Sequence, residues 1–240
     1  MAAALRTDIG RVRSQNEDAA WADDACGLYA VADGMGGHLA GEVASRMAIE
    51  AVQRMARAHG RADTLALREM MRRANDEIAR HAQQHPECAG MGTTLSVLWR
   101  GGRYMYIAHV GDSRIYRLRG GALEQITQDH SLVEELVRAR IITREQARTH
   151  PRRNIITRAL GTQGDNAPDL LAADAQPGDL WLLCTDGLSG MLTDETIEAE
   201  MRRNVPLDAM ADSLLSQALE APVQVVGIDG FDLCDSIFEL

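Results

Sequence analysis

Thr94-Leu95-Ser96-Val97-Leu98-Trp99-Arg100-Gly101-Gly102-Arg103-Tyr104-Met105-Tyr106-Ile107-Ala108 holds two β-rich runs about a Gly-Gly pair. Consecutive glycines between β-branched and aromatic residues signal a hairpin. A third run, Ser113-Arg114-Ile115-Tyr116-Arg117-Leu118, leads into Gly120-Gly121 and predicts a second one. Upstream, Leu28-Tyr29-Ala30-Val31-Ala32 reads as a buried strand. Outward from these runs the apolar period lengthens to that of a helix. Val43, Met47, Ala51, Val52 and Met55 share one face over about residues 40–58, and Leu67, Met70, Met71, Ala74 and Ile78 share one over 63–84. Downstream, Leu180-Trp181-Leu182-Leu183-Cys184 is another buried strand, followed by helices near 193–202 and 206–220. Pro206 opens the latter, with Leu207, Met210, Leu214 and Ala218 on its inner face. Helix pairs on either side of a β-rich middle predict α+β layers, not an alternating βαβ fold.

The 240 residues are 45% hydrophobic and 25% charged, which is globular composition, and the length suits one large domain. Aromatics are only 4%, so aliphatic residues, methionine and alanine must fill the core. No run approaches about 18 apolar residues, so no transmembrane helix is expected. Met1-Ala2-Ala3-Ala4-Leu5-Arg6-Thr7-Asp8 lacks the apolar centre of a signal peptide. Cys26, Cys88, Cys184 and Cys234 are far apart and form no CxxC. Buried free thiols in a reducing cytoplasm are therefore expected. The net charge is −10, and all 25 basic residues are arginine. An acidic chain without a basic block is unsuited to nucleic acid. Without lysine there is no Walker-type phosphate loop, and no GxSxG elbow occurs.

Three apolar runs end alike. Ala30-Val31-Ala32 meets Asp33-Gly34, Ala108-His109-Val110 meets Gly111-Asp112, and Leu183-Cys184-Thr185 meets Asp186-Gly187. A single Asp-Gly is most simply a turn. Three behind apolar strands predict carboxylates gathered at one edge of a sheet, where their repulsion calls for a cation. Oxygen-only ligands suit Mg²⁺ or Mn²⁺. Upstream, Arg13-Ser14-Gln15-Asn16-Glu17-Asp18 places an arginine beside two acids. Its planar fork could clamp a phosphate, or it could form an ordinary surface ion pair. His38, His109 and His130 are each a possible ligand or proton donor, with a structural role the default for any one. Residues 127–165 are less regular, with a short helix near 131–139, a capping box at Thr143-Arg144-Glu145-Gln146 and a basic turn, Pro151-Arg152-Arg153-Asn154.

Taken in order, Arg13–Asp18, Asp33-Gly34-Met35-Gly36-Gly37-His38, Gly92-Thr93-Thr94, Gly111-Asp112-Ser113-Arg114, Asp129-His130-Ser131, Ile156-Thr157-Arg158-Ala159-Leu160-Gly161 and Thr185-Asp186-Gly187-Leu188 resemble the metal-dependent Ser/Thr protein phosphatases of the PPM or PP2C type, in their bacterial single-domain form. The resemblance spans about residues 5–220. It implies a four-layer α-β-β-α sandwich, with a central antiparallel β-sandwich flanked by helix pairs. It also implies a centre of two Mg²⁺ or Mn²⁺ ions, with a third in bacterial members. By motif position Asp33 bridges the main pair, Gly34 offers its carbonyl, Asp186 and Asp112 serve the second and third sites, Asp18 is a direct or water-mediated ligand, and Arg13 binds phosphate. His38 is carried as a candidate catalytic residue, although it is not the position of the histidine that follows Asp-Gly in some eukaryotic members. That position here is Met35.

The expectation is one domain over residues 1–240, with a flap at 127–165 and a divergent segment at 221–240. The family ends in an Asp-Asn pair whose Asp ligates metal; residues 218–240 contain none. Val223-Gln224-Val225-Val226 can replace the last strand, but Asp229, Asp232 and Asp235 follow it, leaving the centre one carboxylate short. The implied function is hydrolysis of phosphoserine and phosphothreonine in proteins phosphorylated by a Ser/Thr kinase, by a cytoplasmic monomer. A non-catalytic phosphoprotein-binding relative is the main alternative. A hydrolase of small phosphate esters is the other.

Overall fold

The computed structural model describes residues 2–36 and 39–221. Val223–Val226, Asp229, Asp232 and Asp235 lie outside the described residues, as does His38. In chain order the elements are β1 (Asp18–Asp23), β2 (Leu28–Met35), α1 (Leu39–His59), α2 (Thr64–Gln84), β3 (Gly92–Thr93), β4 (Leu95–Gly101), β5 (Tyr104–Val110), β6 (Arg114–Arg119), β7 (Ala122–Gln125), α3 (Leu132–Arg138), α4 (Arg144–Arg148), β8 (Asp169–Asp174), β9 (Leu180–Cys184), α5 (Asp186–Ser189), α6 (Asp194–Met201) and α7 (Leu207–Glu220).

Both Gly-Gly hairpins form. The first joins β4 to β5, with Trp99 opposite Tyr106 and Leu95 opposite Val110; the second joins β6 to β7. The larger sheet runs β1-β2-β4-β5-β8 with β3 beside β2, and the smaller runs β7-β6-β9. All of these pairings are antiparallel.

Three apolar clusters separate four layers. Ala44, Val52, Leu67, Met70, Met71 and Ile78 of α1 and α2 pack on Leu28, Val97 and Trp99 of the larger sheet. Tyr29, Leu98, Met105 and Ile107 face Ile115, Trp181 and Leu183 between the sheets. Tyr116, Leu180 and Leu182 of the smaller sheet carry Ile197, Met201, Met210 and Leu214 of α6 and α7. Successive residues of one strand, Leu28 and Tyr29, thus serve two cores, as the period of two requires. Each fully buried Leu, Met or Ile contributes about 1.5–3 kcal/mol.

The helices start where their chemistry places them. Asp63 Oδ1 accepts from Ala66 N at 2.8 Å to cap α2. The capping box of α4 closes reciprocally, Gln146 N donating to Thr143 Oγ1 at 3.2 Å and Thr143 N to Gln146 Oε1 at 2.8 Å.

Besides the two-residue β3, two strands, β1 and β8, escape the sequence reading. Both are edges of the larger sheet and are built largely of alanine and leucine between aspartates. Alanine carries little β-propensity, and a half-covered edge has no need of strict alternation.

Candidate active site

Register brings Asp18 directly opposite Asp33 across β1 and β2. Like charges in facing ladder positions are destabilising, so this pair needs a countercharge. Asp33 is not in a turn: β2 runs through it to Met35, and Gly34 pairs with Thr93. Its backbone is held on both sides. Its N–H donates to Thr94 Oγ1 at 2.9 Å, and its carbonyl accepts from Thr94 N at 2.9 Å and Thr93 Oγ1 at 2.8 Å. The next residue has no room for a side chain: a Cβ on Gly34 would stand 2.8 Å from the Glu17 carbonyl oxygen and would also strike that of Gly41 in α1.

Asp112 follows β5 on a real turn. Gly111 has φ +108°, and a Cβ there would lie 2.5 Å from Thr94 Cβ. Thr94 Oγ1 lies 2.8 Å from Ser113 Oγ, tying this turn to the Asp33 backbone. Arg114 holds Asp129 through two nitrogens, at 3.0 and 2.7 Å. Asp186 opens α5 beyond β9, and the preceding Thr185 Oγ1 donates to Asp18 Oδ2 at 2.9 Å. The acids therefore do not line one edge of a single sheet. β2 and β5 are separated by β4, and β9 belongs to the smaller sheet. The site sits where the ends of both sheets meet.

Electrostatics express the crowding. Burial, and then the charges of Asp186, Asp18 and Asp112, hold the Asp33 carboxyl well above the usual carboxylate range. Burial pushes Asp18 up to about 6, opposed by the Thr185 hydroxyl and Arg13 and reinforced by Asp186. Burial, with Asp186 and Asp129, pushes Asp112 up to about 8. Among the described residues no three His, Cys, Asp or Glu side chains close into one ligand cage. An open rim of oxygen donors, crowded with negative charge, fits a hard divalent cation that keeps several waters and takes one or two carboxylates at a time.

Arg13 Nη1 donates to Glu17 Oε2, and the arginine side chain remains 35% exposed. It lines a cleft of about 1020 Å³ together with Asp18, Asp33 and Asp186. Arg148 of α4 and Arg153 of the basic turn border the same cleft, whereas Arg152 is exposed outside it. The structure thus brings Arg13, Asp18, Asp33 and Asp186 to one cleft, with Gly34 in the strand that carries Asp33 and Asp112 acting on the Asp33 carboxyl. Thr94 and Thr185, which fix and bond these acids, carry no role in the sequence reading. Their only signal is adjacency to the glycine and aspartate motifs.

The family model described as protein phosphatase 2C matches residues 11–222. The chain is 45% identical over 195 residues to the serine/threonine protein phosphatase PstP of Mycobacterium tuberculosis, covering 81% of this chain but 37% of that protein's length. It is 39% identical over 226 residues to the serine/threonine phosphatase stp of Listeria monocytogenes, covering 91% of this chain and 90% of that one. The crystal structure of the PstP catalytic domain in complex with two manganese ions superposes with a TM-score of 0.81 at 40% identity, covering 89% of each chain.

Proposed function

The chain belongs to the protein phosphatase 2C family, and from that premise we propose that it is a metal-dependent protein serine/threonine phosphatase. The observation that carries this reading is the convergence of Asp18, Asp33 and Asp186, from both sheets, with the Arg13 guanidinium on one cleft, and of Asp112 close enough to act on the Asp33 carboxyl. Asp33, Asp18, Asp112, Asp186 and the Gly34 carbonyl would hold two Mg²⁺ or Mn²⁺ ions and a third. The main pair agrees with the two manganese ions in the related PstP structure. When bound, such ions supply Lewis-acid charge and a water acidified towards hydroxide.

The chain's own residues do the rest. Arg13 receives the phosphoryl oxygens, since its fork matches two of them, and Glu17 holds that fork in place. Orientation and charge stabilisation are most of what phosphoryl transfer asks of a protein. A thiol nucleophile is unsupported among the described residues: Cys88 and Cys184 are buried, burial pushes the Cys184 thiol up to about 12, and the exposed Cys26 lies in the β1–β2 turn, at the opposite end of these strands from Asp18 and Asp33.

In this reading residues 1–240 are one phosphatase domain, 127–165 is a flap over the rim, and 221–240 is a divergent end. Arg148 and Arg153, bordering the cleft, support a role for the flap in admitting phosphopeptides. The substrates are proteins phosphorylated on serine or threonine by a kinase, and the enzyme acts as a cytoplasmic monomer. No helix among the described residues is long and apolar enough to cross a membrane. The non-catalytic alternative draws no support from relatives named as phosphatases.

The test is phosphate release from a phosphothreonine peptide and from p-nitrophenyl phosphate, with and without Mn²⁺. Metal-dependent turnover that favours the peptide is expected. A metal-independent rate, or turnover of the small ester alone, sinks the proposal.

A further inference from the structure

Asp129-His130-Ser131 and Ile156-Thr157-Arg158 have no part in the chemistry above, yet the fold brings both against the turn that carries Asp112. The Gly111 N–H donates to His130 Nδ1 at 3.1 Å, and the His130 N–H donates to the Gly111 carbonyl at 2.7 Å. The Gly111 amide is buried, so an acceptor lost there is not replaced by solvent. On its other side His130 Nε2 lies 3.2 Å from Asp169 Oδ2 on β8, and Asp169 Oδ1 accepts from Arg158 Nη1 at 3.2 Å. Arg158 Nη1 also lies 3.3 Å from Nε2, so the tautomer is set at the other nitrogen: the Gly111 N–H makes Nδ1 the acceptor, and the neutral ring carries its proton at Nε2, towards Asp169. The ring is buried, with His109 tilted against it at 4.9 Å. Burial, reinforced by Arg158, holds the imidazole below its ordinary range against the pull of Asp169.

We propose that His130 is a positioning residue: its Nδ1 holds the Gly111 amide and so aims the carboxylate of Asp112 into the metal rim. The inference rests on reading Asp112 as a ligand. A group that orients a metal ligand from behind is worth about 10- to 100-fold in metal affinity. The backbone bonds of His130, to Gly111 and from Thr157 N at 2.8 Å, survive any substitution. Side-chain variants therefore isolate the ring. The amide of asparagine overlays Nδ1 and keeps an acceptor for Gly111. The amide of glutamine overlays Nε2 and keeps only the partner of Asp169.

The experiment is Mn²⁺ binding to the metal-stripped full chain, read by the electron paramagnetic resonance of free Mn²⁺, for wild type, Asp112→Asn, His130→Asn and His130→Gln. Melting is followed in parallel by circular dichroism. Asp112→Asn and His130→Gln should lose affinity at the same class of site by about 10- to 100-fold, while His130→Asn stays close to wild type. Equal loss in the two His130 variants, or loss in step with melting temperature, marks a merely structural histidine and overturns the proposal. Loss in Asp112→Asn with none in His130→Gln overturns it too, while leaving the metal site standing. Unchanged binding in Asp112→Asn removes Asp112 from the ligands, and the proposal falls with it.

Discussion

Single side chains at this site are legible through charge. Asp33 lies opposite Asp18 and feels Asp186 and Asp112, so it carries the repulsion of the whole group. Asp33→Asn should therefore abolish turnover and Mn²⁺ binding, yet the metal-free variant should melt above metal-free wild type. Calorimetry of both stripped proteins decides it, and a lower melting point in the variant would count against the crowding. Arg13 differs, because it touches Glu17 and the cleft and lies outside the proposed ligand set. Arg13→Ala should raise KM for a phosphopeptide and lower kcat/KM by roughly 10- to 100-fold, the scale of a lost charge-assisted bond, with Mn²⁺ affinity unchanged. Collapsed metal binding at constant KM would make Arg13 a holder of Glu17 alone.

His109 gives the sign of a pH effect. It accepts from Ser96 Oγ at Nδ1, 2.8 Å, and donates to the Gln128 carbonyl at 3.1 Å, and burial, reinforced by His130, lowers it from 6.5 to about 3. Below pH 6.5 the unfolded chain takes a proton there that the folded chain refuses, so its contribution to stability falls as pH drops towards 3. His109→Gln keeps the donor to Gln128 and removes the titration. Urea midpoints of the two proteins should shift in the variant's favour by up to about 1.4 kcal/mol per pH unit below 6. Parallel pH curves would mean that His109 is not held neutral.

Among the elements, the junction of β2 with α1 is the tightest constraint on the site. Gly34 faces the Gly41 carbonyl of α1 and the Glu17 carbonyl before β1, so three segments meet at a residue without a side chain. Gly34→Ala must push α1 away from the strand that bears Asp33. A loss of about 1–3 kcal/mol is expected from overpacking, read from denaturant midpoints, together with weakened Mn²⁺ binding. An unshifted midpoint would place the start of α1 elsewhere. The segment 127–165 is pinned where Leu132 N donates to the Ile155 carbonyl at 2.9 Å and Thr157 N to that of His130 at 2.8 Å.

Across the whole molecule, two sheets end at one rim, and the acids they carry repel until a cation arrives. Metal should therefore act as a stabilising ligand for the fold as well as for the reaction. At a hundred times its dissociation constant, Mn²⁺ should add about 2.7 kcal/mol, or roughly 5–10 °C in melting temperature for a chain of this size. EDTA should reverse the gain. A melting point indifferent to Mn²⁺ and EDTA would contradict the assignment of the rim.

The helix pairs, the two Gly-Gly hairpins and the capping box of α4 were legible because each is written in a local pattern: a period of 3.6 for Leu67, Met70 and Met71, an unbroken apolar run from Leu28 to Ala32, glycine pairs between β-rich runs, and a spacing of three from Thr143 to Gln146. The acids at the ends of apolar runs were legible for the same reason. β1 and β8 were not, since an edge strand of alanine and aspartate has no periodic face to advertise. Nor did sequence place Asp18 against Asp33, Thr185 against Asp18 or His130 against Gly111, pairs 15, 167 and 19 positions apart. Register across a ladder, the meeting of two sheets and an acceptor for one buried amide are set by burial of three apolar cores at once. Only the tertiary structure decides which distant residues that burial leaves facing one another.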